Sequence, residues 1–196
     1  MMLIPVCVTL NLLASMRVSP HYFAFLATVA CGDSTGLPDP TFPNEERTVT
    51  LYALTGTPVG TPSAYALHGN QRVRTDVSQD FDFAYSIEAD GRPVLVPRAV
   101  LGIEPNASLQ PGLQSSSLSF EGIREAPSNG YITDQAVPIA VGDRFVVRGR
   151  ITCTLGVPKY AKLEVVAIDL TRTVTFRVLT NENCGYKGLQ PGLPDV

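Results

Sequence analysis

Four carboxylates crowd one short stretch of the chain, at Asp80, Asp82, Glu88 and Asp90. Two carboxyl groups held across neighbouring strands can hydrolyse a glycosidic bond, one as acid and one as nucleophile or base. Asp82 and Glu88 fall on the same side of the alternating run Phe81-Asp82-Phe83-Ala84-Tyr85-Ser86-Ile87-Glu88. That pattern equally describes the solvated face of a strand, which is the expectation for it. Calcium is disfavoured as their ligand because the spacing matches no EF-hand loop. Beyond residue 30 the only histidine is His68, in Tyr65-Ala66-Leu67-His68-Gly69-Asn70. A Ser-His-Asp triad would have to use it, and the chain contains no Gly-x-Ser-x-Gly, phosphate-binding glycine loop or His-Glu-x-x-His. His68 is therefore expected at the surface or in a turn, and no catalytic residue, metal site or cofactor is assigned.

A basic stripe is the stronger surface feature. Arg144, Arg148 and Arg150 occupy even positions of one extended run, opposite Phe145, Val147 and Ile151. Arg177 and Lys162 lie on neighbouring runs, with Arg72 and Arg74 further off. Arg144, Arg148, Arg150 and Arg177 form a candidate binding surface for an anionic headgroup, a polysaccharide or an acidic partner. Outward positions of a β-sheet also need charge for solubility, and nearby acids can neutralise them at little net energy. The whole chain carries a formal charge of only −3, which argues against a nucleic-acid binder relying on phosphate neutralisation.

The chain starts with an address rather than a fold. Arg17 follows Met16, and Tyr22-Phe23-Ala24-Phe25-Leu26-Ala27-Thr28-Val29-Ala30 supplies a short apolar segment ending in small residues. This is the grammar of a secretory signal peptide over residues 1–30, with translation starting at Met16 as one version of it. A long signal anchor is the competing version, although Pro5, Asn11, Ser15, Arg17 and Pro20 interrupt any regular membrane helix. The sequence Thr28-Val29-Ala30-Cys31-Gly32 resembles the lipobox of bacterial lipoproteins. Thr28 departs from the usual Leu. The resemblance implies that Cys31 becomes a lipidated N-terminus and that the protein resides in the envelope, held to a membrane by that lipid. Plain secretion with cleavage near Ala30 is the alternative. Residues 31–46, rich in Pro, Gly and acids, then read as anchor and flexible tether.

Of the four cysteines, Cys7 falls in the leader and Cys31 at the lipid position. Cys153 and Cys184 remain, and in an exported protein such a pair is expected to form a structural disulfide. No Cys-x-x-Cys is present to suggest redox chemistry.

The elements that position these groups read as β. Val49, Leu51 and Ala53 alternate, as do Phe81, Phe83, Tyr85 and Ile87, with Ala89-Asp90-Gly91 as a hairpin turn. Pro93 and Pro97 bracket a return strand expected at a sheet edge. Further runs cover Val137–Val141, Phe145–Cys153, Leu163–Ala167 and Val174–Val178, the last two as a hairpin fastened by the 153–184 bridge. Seven or eight such strands predict a single antiparallel β-sandwich over residues 47–188, or a squat barrel, with 189–196 as a tail. The opening Val49-Thr50-Leu51-Tyr52-Ala53-Leu54-Thr55-Gly56-Thr57-Pro58-Val59 faintly resembles the first strand of prealbumin-like or Ig-like modules of bacterial surface proteins. A division near residues 102–116 would leave two small halves, so one domain is expected. Leu-Gln-Pro-Gly-Leu occurs at 109–113 and again at 189–193, too briefly to establish a repeat. Asn106-Ala107-Ser108 is a formal glycosylation sequon. Tyr131 and Tyr186 are loop tyrosines suited to adhesion or to closing the sandwich ends.

The expected function is a lipid-anchored envelope protein with a non-enzymatic binding or structural domain, acting on an envelope protein or polysaccharide through strand faces or the loops around 102–136. A small exported hydrolase using the carboxylates of residues 80–90 is the alternative.

Overall fold

The computed structural model of the chain describes residues 36–103 and 109–194. Residues 1–30, Cys31 and the sequon at Asn106 lie outside them. The strands are β1 (Glu45–Tyr52), β2 (Ala64–Ala66), β3 (Gln71–Val73), β4 (Phe83–Ile87) and β5 (Pro93–Pro97). They continue as β6 (Gly112–Ser116), β7 (Val137–Pro138), β8 (Arg144–Ile151), β9 (Pro158–Ile168) and β10 (Thr173–Asn181). One turn of 3-10 helix, Arg98–Leu101, is the helical element among the described residues. Two open antiparallel sheets result, ordered β1-β10-β9-β8-β6 and β3-β2-β4-β5-β7. The fold is the all-β sandwich that alternation predicts, and it is not a closed barrel.

Period-two patterning explains why the two sheets face one another. Val49 and Leu51 of β1, Phe145 and Val147 of β8, Leu163 and Val165 of β9, and Phe176 and Val178 of β10 point inward. They meet Tyr65, Phe83, Tyr85, Leu95 and Val137 of the second sheet. Phe83 and Phe176 pack edge-on across the interface, ring centres 6.3 Å apart. Each fully buried side chain of this size contributes roughly 1.5–3 kcal/mol, so this layer is the main apolar drive for folding.

Neither sheet leaves its other face bare. Phe120, Ile123 and Ala126 cover Val146, Tyr160 and Leu179 on the outside of the first sheet, together with Leu189. Phe81 joins Ala64, Ala66, Val73 and Ala84 on the outside of the second. Phe81 is thus a correction to the expected run of like-facing aromatics. The strand proper begins at Phe83, and Phe81 lies before it, on the opposite side.

The structured region also reaches past the expected limits at 47 and 188. Asn44 is buried and pairs with Gly192 in a β-bridge, while its side-chain amide donates to the carbonyls of Gly188 and Gln190. Leu189 is fully buried, so the segment read as a tail carries part of the outer core. The two Leu-Gln-Pro-Gly-Leu phrases behave differently: the first leads into β6, whereas Gly192 of the second adopts φ +94° in the bridge to Asn44. Strand β5 is flanked by β4 and by the two-residue β7, which pairs only at Val94 and Leu95, between the prolines. Pro93 and Pro97 therefore limit the neighbour rather than leave the strand at the edge.

Candidate binding site

Cys153 and Cys184 form a disulfide, with Cα atoms 5.9 Å apart. It ties the end of β8 to the segment leaving β10, where Gly185 N–H donates to the Pro158 carbonyl. Among the described residues no helix is long and apolar enough to cross a membrane.

The four arginines do not present a common free surface. Arg144 donates to Glu164 at 2.9 Å and to the Leu118 carbonyl. Arg148 is buried, its guanidinium donating twice to the Gln110 carbonyl and lying 4.6 Å over the Tyr131 ring. Arg177 is bound by Glu46 and Glu121 and stacks 4.1 Å over Phe120. Its hydrogen bonds hold both glutamates below the usual carboxylate range. Arg150 leaves the stripe altogether. The register shifts between Arg148 and Ile151, and Arg150 turns to the second sheet, where it pairs with Asp80. Lys162 is 2% exposed, donating to the carbonyls of Phe120 and Ile123, and burial lowers its pKa. The covering segment 117–131 turns an expected outer surface into an inner one.

The carboxylates are likewise engaged within the fold. Asp82 is not solvated but 1% exposed, because it precedes β4 and enters the space between the sheets. Its Oδ2 accepts from Leu67 N–H at 2.6 Å and its Oδ1 from Arg150 N–H at 2.7 Å, stitching the sheets together. Burial nonetheless pushes its pKa up. Glu88 pairs with Arg92 across the Asp90–Gly91 turn, and Asp80 with Arg150. Asp80 and Asp82 thus share Arg150, through its guanidinium and its backbone N–H, while Glu88 and Asp90 share Arg92. Tyr131 and Tyr186 point their hydroxyls at the carbonyls of Pro127 and Pro38, as closures of the fold.

A different constellation forms at the end of the sandwich where β1 begins and β10 ends. Residues 67–70 turn sharply from β2 to β3, with Asn70 N–H donating to the Leu67 carbonyl and Gly69 at φ +76°. Asn70 itself takes φ +49°, left-handed backbone that asparagine adopts more readily than most side-chain-bearing residues. Its Oδ1 accepts from the Tyr65 hydroxyl and from Thr180 Oγ1, both of them buried side chains. Burial pushes the Tyr65 phenol up to about 12, so it stays a donor at neutral pH. Behind them, Lys159 Nζ donates to Glu182 and stands 3.2 Å from His68 Nδ1. His68 is exposed in this turn, as expected, but its partner is a lysine rather than a serine or aspartate.

On the outer side, Asn183 staples the approaching chain. Its Oδ1 accepts from the amides of Thr41 and Phe42, and its Nδ2 donates to the Phe42 carbonyl. The result is a cleft of about 260 Å³, lined in part by Phe42, Glu45, Arg47, Asn70, Thr180 and Glu182. Sequence patterning missed this site because its members come from four separate segments. The Gly-Asn pair after β2 was the one local signal, since such pairs take left-handed backbone. No family model matches the chain, and no curated protein or solved structure matches it.

Proposed function

We propose that the chain is an exported envelope protein, anchored by a lipid at Cys31, whose β-sandwich acts by binding an envelope protein or polysaccharide rather than by catalysis. The observation that carries this reading is the Cys153–Cys184 disulfide, a bond that persists in oxidising compartments outside the cytosol. The leader that precedes the domain and the lipobox-like Cys31 agree with it. The engagement of Asp80, Asp82 and Glu88 by arginine and backbone donors of the fold supports binding over glycoside hydrolysis.

Intact-mass measurement of the protein purified from its host's membranes, with and without reductant, tests the reading. The expected mass corresponds to a chain starting at Cys31 with acyl chains attached, and it rises by two hydrogens on reduction. An unlipidated chain recovered from the medium would refute the anchor, and an unchanged mass on reduction would remove the disulfide that motivates export.

A further inference from the structure

We propose that the cleft between the Gly69–Asn70 turn and the start of β1 holds a single neutral sugar residue, deepening the polysaccharide-binding reading above and resting on it. A polar donor is already oriented there. The Asn70 Oδ1 is occupied by the Tyr65 and Thr180 hydroxyls, which are only 1% and 2% exposed as residues. With the oxygen engaged by these two hydroxyls, the amide nitrogen of Asn70, which lines the cleft and has no hydrogen bond to the described residues, is left to donate to a ligand.

An apolar platform stands beside this donor. Phe42 is 58% exposed, although its own backbone is pinned on both sides by Asn183. A solvent-facing aromatic ring on an anchored backbone, next to hydrogen-bonding groups, suits a pyranose, whose C–H face is apolar and whose rim is hydroxylated. The charges argue for a neutral ligand. Arg47 and Glu45 pair loosely at 3.5 Å, and Glu182 Oε2 pairs with Lys159, so the charged side chains around the cleft come in pairs of opposite sign, while Glu182 Oε1 is left as an acceptor for a ligand hydroxyl. The volume of about 260 Å³ accommodates one ring rather than a buried chain. A glycan would therefore be gripped at one residue, with its remainder in solvent.

The test is an NMR titration of the purified protein with the methyl glycosides of glucose, galactose and N-acetylglucosamine. Saturable shifts of the Asn70 side-chain amide and the Phe42 ring are expected with at least one of them. Phe42→Ala removes an exposed ring, and Asn70→Gly keeps the left-handed backbone while deleting the amide. Each should weaken binding at least about tenfold, or about 1.4 kcal/mol. The absence of saturable shifts with every glycoside up to about 50 mM, far above affinities near 1 mM, would overturn the proposal. So would binding that both variants retain. Saturable binding elsewhere on the domain would sink this cleft while leaving the binding function standing, and the anchor is judged separately by the mass measurement.

Discussion

Replacing both Cys153 and Cys184 by Ala perturbs the protein at the point where the strands, the N-terminal segment and the cleft meet. The bridge spans a sequence separation of 31 residues. A loop of that length constrains the unfolded chain by about 3.7 kcal/mol in the chain-entropy treatment. Domains of this size lose about 2–4 °C of melting temperature per kcal/mol, so the double variant should melt about 7–15 °C lower. Urea denaturation followed by circular dichroism measures the free energy directly, and its slope should rise because the uncrosslinked unfolded chain exposes more surface. A local effect should accompany the global one. Cys184 adjoins Asn183, whose Oδ1 accepts from the amides of Thr41 and Phe42. Hydrogen exchange at those two amides should accelerate more than exchange in the middle of β9. A loss of under about 1 kcal/mol, against the 3.7 expected, would show that the folded contacts alone hold this corner. It would refute the assignment of the bridge as a structural tie.

Asn183→Ala leaves two amides and a carbonyl of residues 41–42 without their partners, which should cost about 2–4 kcal/mol. Limited proteolysis should then nick the chain between residues 36 and 44 before the domain unfolds. Gly112→Ala places a Cβ 2.8 Å from the Ile132 carbonyl oxygen, so urea titration should show a loss of about 1–3 kcal/mol as β6 is pushed off its neighbour. Arg177 lowers the pKa of Glu46 and Glu121, so their contribution is present above the unfolded glutamate value of about 4.3 and lost as pH falls through the folded values. Melting temperatures taken down through that acidic range should fall less steeply for Arg177→Gln than for wild type. The difference should be small because both glutamates are largely solvent-exposed.

Alternation alone made the sandwich legible. Val49 and Leu51, Phe145 and Val147, Phe176 and Val178 each recur at the period of a half-buried strand, and that period places one face against a partner sheet whatever the strand order. The disulfide was legible for a different reason, since beyond residue 31 the chain holds only two cysteines, Cys153 and Cys184. What alternation does not encode is what lies on the second face. Val146 and Leu179 stood at outward positions as a hint that it was covered, but the cover comes from Phe120 and Ile123, more than fifty residues from Leu179. That packing decides the fate of Arg148 and Lys162, which read as surface charge and became internal donors to backbone carbonyls.

The bulge before Ile151 likewise has no marker in the arginine spacing, and it alone redirects Arg150 from the stripe to Asp80. Asp82 was misplaced because a period-two count says nothing about where a strand begins. One residue short of β4, its carboxylate meets two backbone N–H groups between the sheets instead of water. The cleft depends on tertiary structure entirely. Tyr65, Asn70, Thr180 and Phe42 each have ordinary local explanations, as core, turn, strand and tether. Only the meeting of the turn after β2 with the end of β10 engages the Asn70 side-chain oxygen, and only the crossing of the N-terminal segment over Asn183 anchors the backbone of Phe42 beside it. Local sequence set the period and the reach of each element, because those follow from backbone geometry over a few residues. Partnership between segments more than a hundred positions apart followed from burial and hydrogen-bond satisfaction, which act through space.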